Sequence, residues 1–194
     1  MLAHPTEFPR EPPVAPRHQS LPIDKLSWEN FERLCLRLER VDAELETCRV
    51  YGIRGQSQEG IDVYSVERTT GKHRVLQCKR VERFSPSNLS ATVDHFLEGT
   101  WASTAVCFTL CTTLRLESTQ IVIEIEKQRK RLRDSGIRFQ IWDAAELDVL
   151  LKRQAEIVDD FFGRDWLRLF CPSESIDALQ RRATGPAVAR CVPS

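Results

Sequence analysis

"EGIDVYSVERTTGKHRVLQCKR", residues 59–80, contains two runs that alternate in polarity, separated by a short polar turn. Alternation with a period of two marks a half-buried strand. "GIDVYSVE" and "HRVLQCKR" are therefore expected to form a hairpin through "RTTGK", where Gly71 suits a tight turn. Such strands seldom carry ionisable side chains unless those side chains have a partner or a task. Alternate residues of a strand share a face, so Val75, Gln77 and Lys79 point one way and Leu76 and Cys78 the other. On the first strand Ile61 and Val63 share a face, with Asp62 and Tyr64 opposite. A hairpin folded about Thr69 and Thr70 sets Asp62 across from Gln77, at about 5 Å, with Lys79 about 7 Å further along. One carboxylate, one amide carbonyl and one ammonium then converge on one patch of sheet.

The flanking segments supply the layers around this hairpin. "SWENFERLCLRLER" reads as a helix with Ser27 as N-cap, Glu29 in the first turn, and Phe31, Leu34, Cys35 and Leu38 at helical spacing. "PSNLSATVDHFLEG" is a helix closed by Gly99, and the continuous apolar run "TAVCFTLCTT" is a buried strand. In "LESTQIVIEIEKQRKRLRDSG" the stretch "IVIEIE" alternates, but the length and the stop at Gly136 favour a helix. "GIRFQIWD" is a further strand, followed by helical "AAELDVLLKR" and "EIVDDFFGRDWLRLF". Helix, hairpin, helix, strand, helix, strand, helices is the order of an α/β protein with a mixed sheet covered on both sides.

At 194 residues the chain suits one domain of ordinary size. Six of its ten prolines precede residue 23, so residues 1–24 read as a disordered, proline-rich leader. Residues 25–171 read as the folded body and 172–194 as a flexible tail or the start of a linker. Lys+Arg and Asp+Glu are equal at 28 each, so any attraction to nucleic acid must come from a local patch. The N-terminus lacks a signal-peptide core, and no apolar run has membrane-spanning length, which points to a soluble cytoplasmic protein with no membrane partner. The seven cysteines form no C-x-x-C pair and read as buried thiols in a reducing compartment. Cys107 and Cys111, four apart, are the nearest approach to a pair of metal ligands.

The chemistry that wants the hairpin's polar patch is metal-assisted phosphodiester hydrolysis. A hard divalent cation prefers oxygen ligands and keeps several waters, so one or two protein oxygens and a substrate phosphate suffice. Asp62 is the anionic ligand; the side-chain oxygen of Gln77 or the backbone carbonyl of Cys78 is the neutral one. Lys79 is placed to orient or deprotonate the attacking water. Glu32, at the border of the apolar stripe of the first helix, is a better further carboxylate than Glu29, which lies towards solvent.

Phe31-Glu32 on an early helix, then Gly60-Ile61-Asp62-Val63, then Gln77-Cys78-Lys79, resembles the restriction-endonuclease-like superfamily, specifically its Mrr-like branch, over roughly residues 26 to 145. The resemblance implies a DNA endonuclease dependent on Mg²⁺, with Mn²⁺ as a substitute, whose catalytic positions are Glu32, Asp62, Gln77 and Lys79. Gln77 stands where most of the superfamily has Asp or Glu, though the Mrr-like branch commonly has Gln. One fewer negative charge should weaken metal binding or limit the site to one firmly held ion. The later "WDAAELDVLLKRQAEIVDDFFGRDW" is similar to the segment that succeeds such modules at the N-terminus of large prokaryotic defence proteins. That similarity implies an anti-phage or restriction-type effector acting on DNA, controlled by self-association or by a regulatory or sensor domain.

Other candidates carry less. Arg80 and Arg83, just after Lys79, are the expected phosphate contacts. "EKQRKRLR", residues 126–133, reads as the solvated face of a helix rather than a phosphate grip. His95 is a helix-border residue more in keeping with structure than with base catalysis. Gln58 and Glu59 are placed to line the site mouth. Trp28, Trp101, Trp142 and Trp166 read as core. The rival from another class is a non-catalytic nucleic-acid-binding module on the same fold, with Gln77 as a sign of decay. A thiol-based redox or zinc protein would rest on the cysteine count alone.

Overall fold

The computed structural model of the protein describes residues 20–52 and 59–183. Most of the expected leader, Gln58 with the loop around it, and the last residues from 184 lie outside them. The hairpin forms as β2 (Val63–Glu67) and β3 (His73–Lys79), paired Val63 to Leu76, Tyr64 to Val75, Ser65 to Arg74 and Val66 to His73, which is the register expected from the sequence. Gly71 turns the chain at φ 65°, and its N–H donates to the Glu67 carbonyl at 2.9 Å.

A strand with no sequence expectation, β1 (Leu45–Val50), pairs antiparallel with β2. Its "LETCRV" pattern buries Leu45 and leaves the rest half-buried or exposed, so it carries little of the apolar alternation that reveals a strand. Beyond β3, β4 (Ala105–Thr112) and β5 (Arg138–Trp142) add parallel strands, giving a five-stranded mixed sheet in the order β1-β2-β3-β4-β5. The expected α/β class with a mixed, helix-flanked sheet is what the chain adopts.

Parallel neighbours need crossover connections, and α2 (Pro86–Glu98) and α3 (Thr119–Asp134) provide them. Ser85 and Ser118 cap these helices by accepting the N–H groups of Asn88 and Ile121. In α3 the helix wins over the local alternation because Ile121, Ile125, Gln128 and Leu132 bury one face, while Val122 and Ile123 stay exposed. The other face of the sheet carries α1 (Trp28–Glu39), α4 (Ala144–Leu151), α5 (Ala155–Phe162) and α6 (Arg164–Phe170). The last two divide the expected "EIVDDFFGRDWLRLF" helix at Gly163, which sits at φ 85°. Where a tail was expected, α7 (Ser173–Ala183) follows, with Ile176 and Leu179 packed on the core.

The sheet therefore separates two apolar layers. Leu34, Leu38, Leu76, Leu147 and Val158 belong to the layer under α1. Val93, Phe96, Phe108, Ile125 and Phe139 belong to the layer under α2 and α3, with stacked rings at 4.2 Å (Phe96–Phe108) and 5.7 Å (Phe108–Phe139). The four α1 residues named from the sequence are all buried. At about 1.5–3 kcal/mol for each large side chain buried, this stripe is what fixes α1 against the sheet. Glu39 is buried as well, accepting from Ser65 Oγ at 2.7 Å; Arg74 lies 3.9 Å away and also pairs with Asp42 and Glu67. Trp101, Trp142 and Trp166 pack against the two layers, but Trp28, at the start of α1, is 36% exposed and is not core. Among the described residues no helix is long and apolar enough to cross a membrane.

Candidate active site

The ladder between β2 and β3 stops at Val63, one residue short of Asp62. The backbone of Asp62 still bridges both neighbours: its N–H donates to the Leu76 carbonyl at 2.8 Å, and its carbonyl accepts from Tyr51 N–H at 2.7 Å. The carboxylate then takes over, with Oδ2 accepting the Cys78 N–H at 2.6 Å. A side chain thus occupies the place where a β2 carbonyl would continue the sheet.

This arrangement corrects the expected strand faces. Ile61 joins the layer under α2 and α3 while Val63 joins the layer under α1, so the alternation breaks at Asp62. The cause lies just upstream, where Glu59 and Gly60 both adopt positive φ, 49° and 76°. The Glu59 carboxylate accepts from Thr100 N–H at 3.0 Å and Thr100 Oγ1 at 2.6 Å, tying this turn to the segment after α2. Gly60 lies against His95; a Cβ there would come within 2.8 Å of His95 Cδ2. Glu59 therefore anchors the turn, and the His95 ring fills the space beside it.

Gln77 and Lys79 lie on β3, near the carboxyl ends of the parallel pair β3 and β4, a usual ligand position in open α/β sheets. Gln77 is 6% exposed, and its Oε1 is buried without a hydrogen-bond partner among the described residues. Leaving such an atom unsatisfied costs about 1–3 kcal/mol. Asp62 is buried, while Glu32 and Lys79 are half-buried. Burial pushes the Asp62 carboxyl above its usual range, opposed by the Cys78 N–H and by the charge of Lys79. Burial also raises Glu32, and the Asp62 charge adds to that. Asp62, just before β2, thus acts on Glu32 of α1 and feels the charge of Lys79 of β3.

Two carboxyls pushed towards protonation and a buried amide oxygen with no donor make a set short of positive charge. Asp62 and Glu32 are the carboxylate oxygens that could hold a hard divalent cation, and Gln77 Oε1 is a further oxygen without a donor on β3. Cys78 holds the site together through its amide, while its thiol lies on the opposite side, in the layer under α1. Arg80 is engaged structurally: its guanidinium donates to the Leu26 carbonyl at 2.6 Å and the Asp24 carbonyl at 3.2 Å, pinning the end of β3 to the entrance of α1. Arg83 is exposed between β3 and α2. Along the basic run of α3, Lys127 pairs with Glu124, Arg129 with Glu126 and Arg131 with Asp94, as suits a solvated face.

The cysteines are grouped differently from the sequence expectation. Cys107 turns to Thr109 and Gln140, whereas Cys111 meets Cys35 of α1 and Cys78 of β3. Among the described residues no cysteine is in a disulfide. Burial opposes ionisation of Cys35, but hydrogen bonds from Cys111 and Cys78 outweigh it and lower this thiol to about 5, while its partners are held well above the ordinary thiol value. Only the helix stripe and strand faces hinted at this group, because its members come together through the sheet order. No family model and no curated protein sequence matches the chain.

Proposed function

We propose that this protein is a Mg²⁺-dependent deoxyribonuclease of the restriction-endonuclease-like, Mrr-like type, cutting DNA phosphodiester bonds in the cytoplasm. Two observations carry the reading together: the buried Oε1 of Gln77, without a donor among the described residues, and the Asp62 and Glu32 carboxyls, which burial holds above their usual range. Asp62 and Gln77 hold the ion, and Glu32 orders water next to it. Lys79, whose charge already acts on Asp62, positions or deprotonates the attacking water and faces the scissile phosphate. A bound Mg²⁺ supplies charge neutralisation at the phosphate and makes water a stronger nucleophile near neutral pH. The Cys78 N–H keeps one Asp62 oxygen fixed, so the carboxylate is pre-aimed rather than free to rotate. Arg83 gives the DNA backbone an exposed contact. Two strands require two such sites, so self-association or a regulatory domain belongs to the reading.

The test is cleavage of supercoiled and linear plasmid with Mg²⁺, Mn²⁺ or EDTA, comparing wild type with Asp62→Ala and Lys79→Ala. Either substitution removes several kcal/mol of transition-state stabilisation, so cutting should fall by at least about 100-fold. Cutting that survives both changes would place the chemistry elsewhere. DNA binding equal in Mg²⁺ and EDTA, with no cutting, would instead identify a non-catalytic nucleic-acid-binding module.

A further inference from the structure

Behind the carboxylate site, Cys35 of α1, Cys78 of β3 and Cys111 of β4 bring their three Sγ atoms within 4.8 Å of one another. All three side chains are buried, at 0%, 1% and 0% exposure. Cys78 and Cys111 are direct partners in the parallel β3–β4 ladder, and Cys35 faces them from the apolar stripe of α1. An ion at the centre of a sulfur triangle with bonds of about 2.3 Å sets the sulfurs about 4 Å apart. The triangle is therefore within about 1 Å of a binding geometry, an adjustment that small side-chain rotations can make.

We propose that Cys35, Cys78 and Cys111 form a three-coordinate site for a soft monovalent d¹⁰ cation, Cu(I). Thiolate sulfur selects soft ions, whereas Zn²⁺ in protein sites is almost always four-coordinate. Among the described residues no fourth cysteine, histidine or carboxylate joins the group, and its apolar layer excludes water as a substitute. Each thiol that ligates as thiolate gives up its proton to solvent. The site is distinct from the oxygen-lined one, although Cys35 is one helical turn beyond Glu32 and the Cys78 amide is held by Asp62.

The experiment is an anaerobic titration of the reduced full chain with Cu(I), buffered by a chromophoric Cu(I) chelator. Wild type should withdraw one equivalent per chain, with new near-ultraviolet thiolate-to-copper absorption. Cys35→Ala and Cys111→Ala should lose that binding, and Cys107→Ala should keep it. X-ray absorption of the wild-type complex should give three sulfur neighbours, a readout that needs no variant to fold. Failure to compete with the chelator, binding retained in Cys35→Ala and Cys111→Ala, a two-sulfur signature, or displacement of Cu(I) by equimolar Zn²⁺ would each overturn the assignment. None of these readouts depends on DNA cleavage, so they stand or fall apart from the nuclease reading.

Discussion

Gln77 is the residue on which the proposed chemistry turns. A buried amide oxygen without a donor is unusual in a folded protein, and an ordered water or a ligand is what would complete it. Gln77→Glu places a second carboxylate at a buried position, so it should lower the melting temperature of the metal-free protein. The same charge should tighten Mg²⁺ binding, so that saturating Mg²⁺ raises the melting temperature of the variant more than that of wild type. A thermal melt of both proteins with and without Mg²⁺ reads this directly, and equal shifts would remove Gln77 from the ion's ligands. The positions of Glu32 on α1 and of Gln77 and Lys79 on β3 were legible in the sequence, because helical and strand periodicities place them without knowledge of the rest of the fold. The mode of attachment of Asp62 was not. It depends on Glu59 and Gly60 entering positive φ and on the clasp to Thr100, neither of which leaves a periodic signal.

At the scale of the elements, the hairpin register was readable because alternation and Gly71 agree on one pairing. β1 was not, because an edge strand with little buried area needs no apolar pattern. The contact that joins these elements leaves no pattern either: Glu39, at the end of α1, reaches Ser65 of β2 and the Arg74 network of β3. Burial holds its carboxyl above the usual 4.5, against the opposing effects of Ser65 and Arg74. A group whose pKa is raised by folding contributes stability below its unfolded value and loses that contribution as pH rises through its folded value. Glu39→Gln keeps an acceptor for Ser65 but cannot ionise. It should therefore gain stability over wild type at pH 7.5, and the gain should shrink as pH falls towards 4.5. Urea unfolding of both proteins across that range checks the sign; a gain that grows on acidification would refute it.

For the molecule as a whole, one sheet serves as the common wall of two apolar layers, and stability depends on both. Phe108 sits in the stacked row between Phe96 of α2 and Phe139 of β5. Phe108→Ala should cost about 3–5 kcal/mol in an unfolding titration, because a large cavity opens in the layer under α2 and α3. A much smaller cost would mean that the layer under α2 and α3 repacks freely. The sheet order that creates both layers is also what brings Cys35, Cys78 and Cys111 together, which no local pattern could announce. The bond from Cys78 N–H to Asp62 Oδ2 has a consequence for spectroscopy. It ties a sheet amide to an acceptor whose charge changes with protonation or cation binding, whereas a peptide carbonyl acceptor stays neutral. The proton resonance and solvent-exchange rate of that amide are thus a built-in reporter, reading out occupancy of the carboxylate from within the backbone.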